Sequence, residues 1–270
     1  MNEAISIRGL TKRYREITAV DGLTLDIPQG ELFALLGVNG AGKTTTIRML
    51  CGLTRPDGGD ALLCGHSILR DTAAVKRCIA VSPQETAVAA KLTVRENLLL
   101  MARIHGFSRQ ESERKMAEMA EKLGLTQVLA RKACVLSGGW QRRLSIAMAL
   151  ISEPAVLFLD EPTLGLDVLA RSELWDCIRS LQGKMTIILT THYMEEAAAA
   201  DRVVVMNGGR VAMDGTPREV FSRRAELEEI GLTVPDTALL LDELKRAGMD
   251  VPTDAITVDE CADAIMKNFR

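Results

Sequence analysis

The sequence contains no apolar run long enough to cross a bilayer. Its longest stretches, such as Asn97 to Ala102, fall far short of the ~20 residues a spanning helix needs, so any membrane role is expected to come through a partner. The opening residues, Met1-Asn-Glu-Ala-Ile-Ser, carry neither the basic start nor the apolar core of a secretory signal. Positive charge is not in excess. Against 36 acidic residues stand 33 Lys and Arg, a net charge of −3, so the composition supplies no basic field for a nucleic-acid partner. The six cysteines (Cys51, Cys64, Cys78, Cys134, Cys177, Cys261) form no Cys-x-x-Cys pair. They read as thiols of a reducing compartment rather than as zinc ligands or a disulfide framework. Internal repeats and low-complexity tracts are also missing. A chain of 270 residues has room for one large α/β domain and an appendage, and a cytoplasmic location is expected.

What is present begins with residues 37 to 44, Gly-Val-Asn-Gly-Ala-Gly-Lys-Thr, a complete P-loop. Such a loop curls successive backbone N–H groups around a phosphate, and a Cβ at Gly37, Gly40 or Gly42 is expected to obstruct that path. Asn39 and Ala41 belong to the same loop. Lys43 is placed to reach the β- and γ-phosphates, and the Thr44 hydroxyl to take a Mg²⁺ position, with Thr45 beside it. The flanks fit. Glu31 to Leu36 is an apolar strand entering the loop, and Thr45 to Leu50 continues as a helix whose N-terminus faces the anion.

Further strands are expected at Ile5 to Arg8, Leu23 to Ile27, Cys78 to Ser82, Ala155 to Asp160, Met185 to Thr190 and Val203 to Met206. Between Gln84 and Pro154 the pattern is helical. Capping boxes at Thr93-x-x-Glu96 and Ser108-x-x-Glu111 open two helices, the first through His105 and the second stopping near Gly124, and a third follows Ser137-Gly-Gly139. The expected fold is therefore α/β, with a mostly parallel core sheet, antiparallel N-terminal strands and a helical lobe over about residues 85–153. We expect residues 1–214 to form this domain and 215–270 a C-terminal helical extension. In that extension Thr216-Pro-Arg-Glu219 and Thr257-x-x-Glu260 are capping boxes, and Asp236 to Ala247 is a helix closed by Gly248. Val258, Cys261, Ala262, Ile265, Met266 and Phe269 share one face of the last helix and read as packing surface.

Val156-Leu-Phe-Leu-Asp-Glu161 is an apolar strand ending in two carboxylates. Asp160 is suited to the Mg²⁺ shell, and Glu161 to accept a proton from attacking water. In Leu136-Ser-Gly-Gly-Trp140, Ser137, Gly138 and Gly139 begin a helix whose free N–H groups suit a second phosphate contact. Taken alone, Ser137 reads as an ordinary helix cap.

The order of Gly37–Thr44, Gln84, Leu136–Gly139, Asp160–Glu161, Asp167 and His192 resembles the nucleotide-binding subunit of ATP-binding-cassette transporters, over about residues 3 to 215. The resemblance implies an Mg²⁺-dependent ATPase, acting as a dimer of cassettes on an integral membrane permease at the inner face of the cell membrane. Gln84 resembles the glutamine that contacts Mg²⁺ or water and reports to the membrane subunit. Ser137 and Gly139 resemble the signature residues that touch γ-phosphate, Asp167 the D-loop acid and His192 the switch histidine. Tyr14 matches the aromatic that stacks on adenine. Trp140 replaces the usual glutamine or methionine of the signature, and Val168 stands where proline often follows the D-loop acid.

Two branches of the family are echoed. Residues 84 to 105 and Thr191-His-Tyr-Met-Glu-Glu196 look like the ATPases of drug, lipid and polysaccharide export. Gly215 to Phe221 and Gly231 to Pro235 look like energy-coupling-factor ATPases of vitamin and metal-ion import. Export is the first reading, because the core covers more of the chain. A cassette acting without a transporter, in DNA repair or on ribosomes, is the third. It is disfavoured by the lack of a coiled-coil insertion, a second cassette and a basic surface.

Overall fold

The computed structural model describes residues 3–267. Alternation of apolar and polar residues makes the first two segments a long hairpin, β1 (Glu3–Tyr14) and β2 (Ile17–Pro28). Ile5, Ile7 and Leu10 turn inward from it. The chain then enters β3 (Leu32–Leu36), the P-loop and α1 (Lys43–Leu50), before β4 (Gly58–Leu63) and β5 (His66–Ser67). Strands β2-β1-β4-β5 form an antiparallel sheet.

Helix α2 (Thr72–Cys78) leads into β6 (Ile79–Ser82), so the strand expected from Cys78 begins one residue later. The helical lobe holds α3 (Val94–Ile104), α4 (Arg109–Lys122) and α5 (Gly138–Leu150). Both expected capping boxes are formed, at Thr93 and Ser108. There follow β7 (Val156–Asp160), α6 (Val168–Leu181), β8 (Thr186–Thr191), α7 (Met194–Ala198), β9 (Arg202–Asn207) and β10 (Arg210–Gly215).

The core sheet runs β10-β9-β3-β8-β7-β6, parallel except for β10 at its edge. Its central strands are apolar on both sides because both faces are covered. Phe33, Leu35, Phe158 and Ile188 pack toward the antiparallel sheet and α1. Leu32, Ala34, Leu36, Leu157, Leu159 and Leu189 pack toward the helical lobe and α6. This sandwich fixes the ends of β3, β6, β7 and β8, from which the candidate site is built.

The tail adds α8 (Pro217–Ser222), α9 (Arg224–Glu229), α10 (Asp236–Arg246) and α11 (Val258–Met266), with capping boxes at Thr216 and Thr257. Val220, Phe221, Leu227, Leu232 and Val234 join the main core, whereas Leu241, Val251, Ala255, Cys261 and Ala264 form a small cluster of their own. The expected stripe on α11 is narrower than its spacing suggests. Cys261 and Ile265 pack inward with Ala264, but Ala262 is exposed, and Val258 and Met266 are 71% and 56% exposed. The reason is that Leu241 of α10 and Val251 and Ala255 of the preceding loop cover only the Cys261–Ala264 side of α11. Phe269 lies outside the described residues. Among the described residues, no helix is long and apolar enough to cross a membrane.

Candidate functional site

A cleft of about 570 Å³ opens where β3 and β7 end, lined by Asn39, Gly40, Ala41, Gly42, Lys43, Thr44, Thr45, Gln84, Glu161 and His192, with Ile17, Ala19 and Leu164 at its sides. Residues from five separate stretches of sequence therefore meet in one place.

The P-loop shapes the floor. A Cβ on Gly37 would lie 2.5 Å from the Met206 carbonyl oxygen, and one on Gly42 would lie 2.4 Å from that of Ala19. Gly40 differs from expectation: a Cβ there meets nothing within 4 Å, and it is its φ of +84° that favours glycine. Helix α1 has no side-chain cap and no acid in its first turn, which leaves its N-terminal N–H groups open to an anion. The buried ammonium of Lys43 donates to the carbonyls of Gly37 (2.6 Å) and Val38 (3.1 Å). Burial pushes this lysine below its usual range, and the nearby carboxylates of Glu161 and Asp160 pull it back up.

The acidic wall is held by β8. Thr190 donates its hydroxyl to Oδ1 of Asp160 at 2.5 Å. The Thr190 hydroxyl oxygen in turn accepts the backbone N–H of Glu161 at 3.0 Å. Asp160 is buried beneath the lining rather than in it. At Glu161 the backbone leaves the strand at φ +44°, a left-handed conformation that costs a glutamate about 1–3 kcal/mol and turns its side chain into the cleft. There, Oε2 accepts from the Gln84 side-chain amide at 3.1 Å, and Oε1 lies 3.4 Å from Nδ1 of His192. Glu161, Gln84 and His192 are thus one hydrogen-bonded set.

Beneath His192 lies a second buried carboxylate. Glu196, 2% exposed, accepts hydroxyl hydrogen bonds from Thr163 and from Thr191 (2.7 Å). Burial pushes its carboxyl above the usual range, while the two hydroxyls and Arg171 work against that.

Other sequence-predicted residues stand outside the cleft. Tyr14 does not line it; its cross-strand partner Ile17 does. The Tyr14 ring is 46% exposed, with the Lys12 ammonium 5.4 Å from its centre. Ser137, Gly138 and Gly139 lie at the start of α5, in the helical lobe, and do not reach this chain's own cleft. Ser137 occupies the N-cap position, yet its hydroxyl makes no capping bond, so the ordinary helix-cap role does not account for it. Asp167 caps α6 by accepting the N–H of Ala170 at 2.8 Å. The unusual Trp140 covers the guanidinium of Arg143 at 4.8 Å, and Arg143 in turn pairs with Glu173 of α6.

Sequence reasoning passed over Ile17, Ala19 and Leu164. Nothing in the sequence marked them: Ile17 stands out only once its exposure at the hairpin end is seen. It also missed Arg142. The Arg142 guanidinium is buried and donates to the carbonyl oxygens of Pro83, Gln84 (3.1 Å), Asp160 (2.7 Å) and Pro162 (2.7 Å).

Among the described residues no three His, Cys, Asp or Glu side chains gather as a metal cage. The donors present are a hydroxyl, an amide and one carboxylate, from Thr44, Gln84 and Asp160. That set suits Mg²⁺, which keeps several waters and leans on substrate phosphates, better than a metal needing a full protein shell.

Comparison with known proteins agrees with this geometry. Residues 20–164 match the ABC transporter family. The chain is 44% identical over 221 residues to the daunorubicin/doxorubicin resistance ATP-binding protein DrrA of Streptomyces peucetius, covering 81% of this chain and 67% of that protein. It is 42% identical over 243 residues to the Nod factor export ATP-binding protein I of Burkholderia orbicola, covering 89% and 80%. Among solved structures it resembles cbiO1 of Clostridium perfringens, part of the ABC transporter complex cbiONQ, with a TM-score of 0.79, 26% identity and coverage of 92% and 99%. With a P-loop floor, Glu161 in the wall over the buried Asp160 and the signature residues on a separate lobe, the chain belongs to the ABC transporter family, as its ATP-binding and ATP-hydrolysing subunit.

Proposed function

We propose that this chain drives export through a separate membrane permease, hydrolysing Mg-ATP at a site completed by a second cassette, either another copy of itself or a related chain. Its place is then the cytoplasmic face of the membrane, held there by the permease. The observation that carries the catalytic reading is the set Gln84–Glu161–His192 at the rim of the P-loop cleft.

In this reading the P-loop N–H groups and the start of α1 bind the phosphates, and Lys43 balances their charge. Thr44, Gln84 and Asp160 hold Mg²⁺, which when bound neutralises charge on the phosphate oxygens. Glu161 accepts the proton of the attacking water as its oxygen bonds to the γ-phosphorus and the bond to ADP breaks. Gln84 and His192 orient that carboxylate and, from its two sides, the water and γ-phosphate. Ile17, at the cleft side, takes the adenine-facing position, with Tyr14 next to it. Ser137, Gly138 and Gly139 face the γ-phosphate of the other cassette, and Asp167 sets the start of α6 beside them.

Export is favoured by the relatives at 44% and 42% identity, both named as resistance or export ATP-binding proteins. Import coupling is the second reading, favoured by the likeness to cbiO1 over 92% of the chain, tail included, though at 26% identity. Residues 215–270 are the segment by which the two branches differ in our reading.

The test is Mg-ATP binding and turnover by the purified chain and by Lys43→Ala. We expect saturable ATP hydrolysis that Lys43→Ala abolishes. Wild-type turnover in that variant, with contaminating ATPase excluded, overturns the site.

A further inference from the structure

The buried guanidinium of Arg142 belongs to the same helix that carries the signature residues, one turn further on. Among the described residues it pairs with no carboxylate. All of its described hydrogen bonds run to backbone carbonyls, and those carbonyls belong to the segments that present the catalytic set. The Gln84 carbonyl is held at 3.1 Å and the Asp160 carbonyl at 2.7 Å, so Arg142 fixes the backbone on one side of Gln84 and immediately before Glu161. The Pro162 carbonyl at 2.7 Å fixes the backbone immediately after it. Glu161 is thus pinned on both sides by one side chain, at the residue whose backbone is left-handed.

Such an arrangement needs a guanidinium. Its planar fork offers five N–H donors, enough for four carbonyls at once, whereas an ammonium carries three donors converging on one point. Burial pushes Arg142 down to about 10, with Asp160, Glu161 and Glu196 working against it, so the side chain stays charged at neutral pH. At its other end the helix start is pressed onto α6: a Cβ on Gly139 would lie 2.8 Å from that of Ala170. Arg142 is therefore the link between the signature helix and the backbone at Gln84 and Glu161.

We propose that Arg142 is a positioning residue that couples the signature helix to the catalytic set of its own chain, holding Gln84 and Glu161 in the geometry that hydrolysis requires without touching nucleotide. This rests on the proposed roles of Gln84 and Glu161. A misplacement of about 1 Å at such a site costs about 10²-fold in rate, which sets the scale expected on losing the clamp.

The test compares Arg142→Lys and Arg142→Met with wild type and with Lys115→Met. Lys115 is a buried cation of the same lobe, paired with Glu153 and remote from the cleft lining. Fluorescent Mg-ATP affinity, kcat, KM and thermal midpoint are measured on gel-filtered protein. We expect both Arg142 variants to bind Mg-ATP within about threefold of wild type and to keep KM within the same range. Their kcat should fall at least about tenfold, less for lysine than for methionine. Lys115→Met should lose thermal stability while keeping kcat. Wild-type kcat in Arg142→Lys or Arg142→Met, or a kcat loss of equal size in Lys115→Met, overturns the proposal, as does failure of both Arg142 variants to fold. A wild-type chain that neither binds nor hydrolyses Mg-ATP would instead sink the proposed function itself.

Discussion

The Thr190 hydroxyl donates to Asp160 at 2.5 Å while accepting the N–H of Glu161, so one β8 side chain sets the direction of both acidic residues. Thr190→Val keeps the shape and removes the hydroxyl. It leaves a buried carboxylate oxygen short of one donor, a loss of about 1–3 kcal/mol. The Glu161 N–H retains the Thr190 carbonyl at 3.1 Å, so the chain should still fold. We expect Thr190→Val to lower the thermal midpoint by a few degrees and kcat by about 10- to 100-fold, through a misdirected carboxylate. Steady-state kinetics alongside calorimetry checks this, and an unchanged kcat would show that Asp160 needs no aiming from β8.

Glu161→Gln preserves the size of the side chain and removes its basicity. The loss of a general base costs about 10²–10⁴ in rate, with ATP binding retained. The expected product is a chain that accumulates bound ATP, measured as nucleotide retained after rapid desalting. Normal single-turnover cleavage by this variant would move the base elsewhere.

Much of this site was legible in sequence because its chemistry is local. The P-loop occupies consecutive residues, and the capping boxes at Thr93, Ser108, Thr216 and Thr257 each close within four residues, which is why all four are found where expected. The alternation in β3, β7 and β8 failed to distinguish their two faces in sequence because both are buried. What escaped was set by distant parts of the chain. The partners of Arg142 are carbonyls, which any residue can supply, so nothing in Gln141-Arg-Arg143 separates it from its neighbour. Ile17 rather than Tyr14 lines the cleft because the two are paired across a hairpin whose position over the P-loop is tertiary. Strand β4 begins Gly-Gly-Asp and is partly exposed, too polar to announce itself.

Glu196 predicts a pH dependence of stability. Its carboxyl is raised above the usual value of 4.5, so the folded chain holds this proton more tightly than the unfolded chain. The stability it contributes is fully present below the unfolded pKa and is lost as pH rises through the folded one. Glu196→Gln removes that titration and keeps an acceptor oxygen for one of the Thr163 and Thr191 hydroxyls, while the other must turn to accept from the new amide N–H. We expect the midpoint of wild type to fall more steeply than that of the variant as pH is raised from 4.5 toward neutrality. Parallel slopes in calorimetric scans across that window would mean that Glu196 ionises at its ordinary value.

The dimer is the claim with the widest consequence, and Ser137 carries it. Its hydroxyl makes no cap bond at the head of α5, and neither it nor Gly138 and Gly139 line the cleft of their own chain. Val135, two residues before Ser137, and Val168 and Leu169 at the start of α6, are 67%, 84% and 70% exposed. If the cassettes pair head to tail about a two-fold axis, Lys43 of each faces Ser137 of the other and two equal sites form. Lys43→Ala and Ser137→Arg should then each be inactive alone, one for want of the phosphate-binding charge and the other by blocking the opposite site. Mixed, they form some dimers with one intact site, made of Lys43 from the Ser137→Arg chain and Ser137 from the Lys43→Ala chain. Random pairing makes about half of the dimers mixed, so about a quarter of the wild-type sites should return. Partial ATPase activity on mixing, rising with total protein concentration, is the expected result. Activity no greater than the sum of the two separate variants, or full turnover by Ser137→Arg at a dilution where it is monomeric, would count against a homodimer with shared sites.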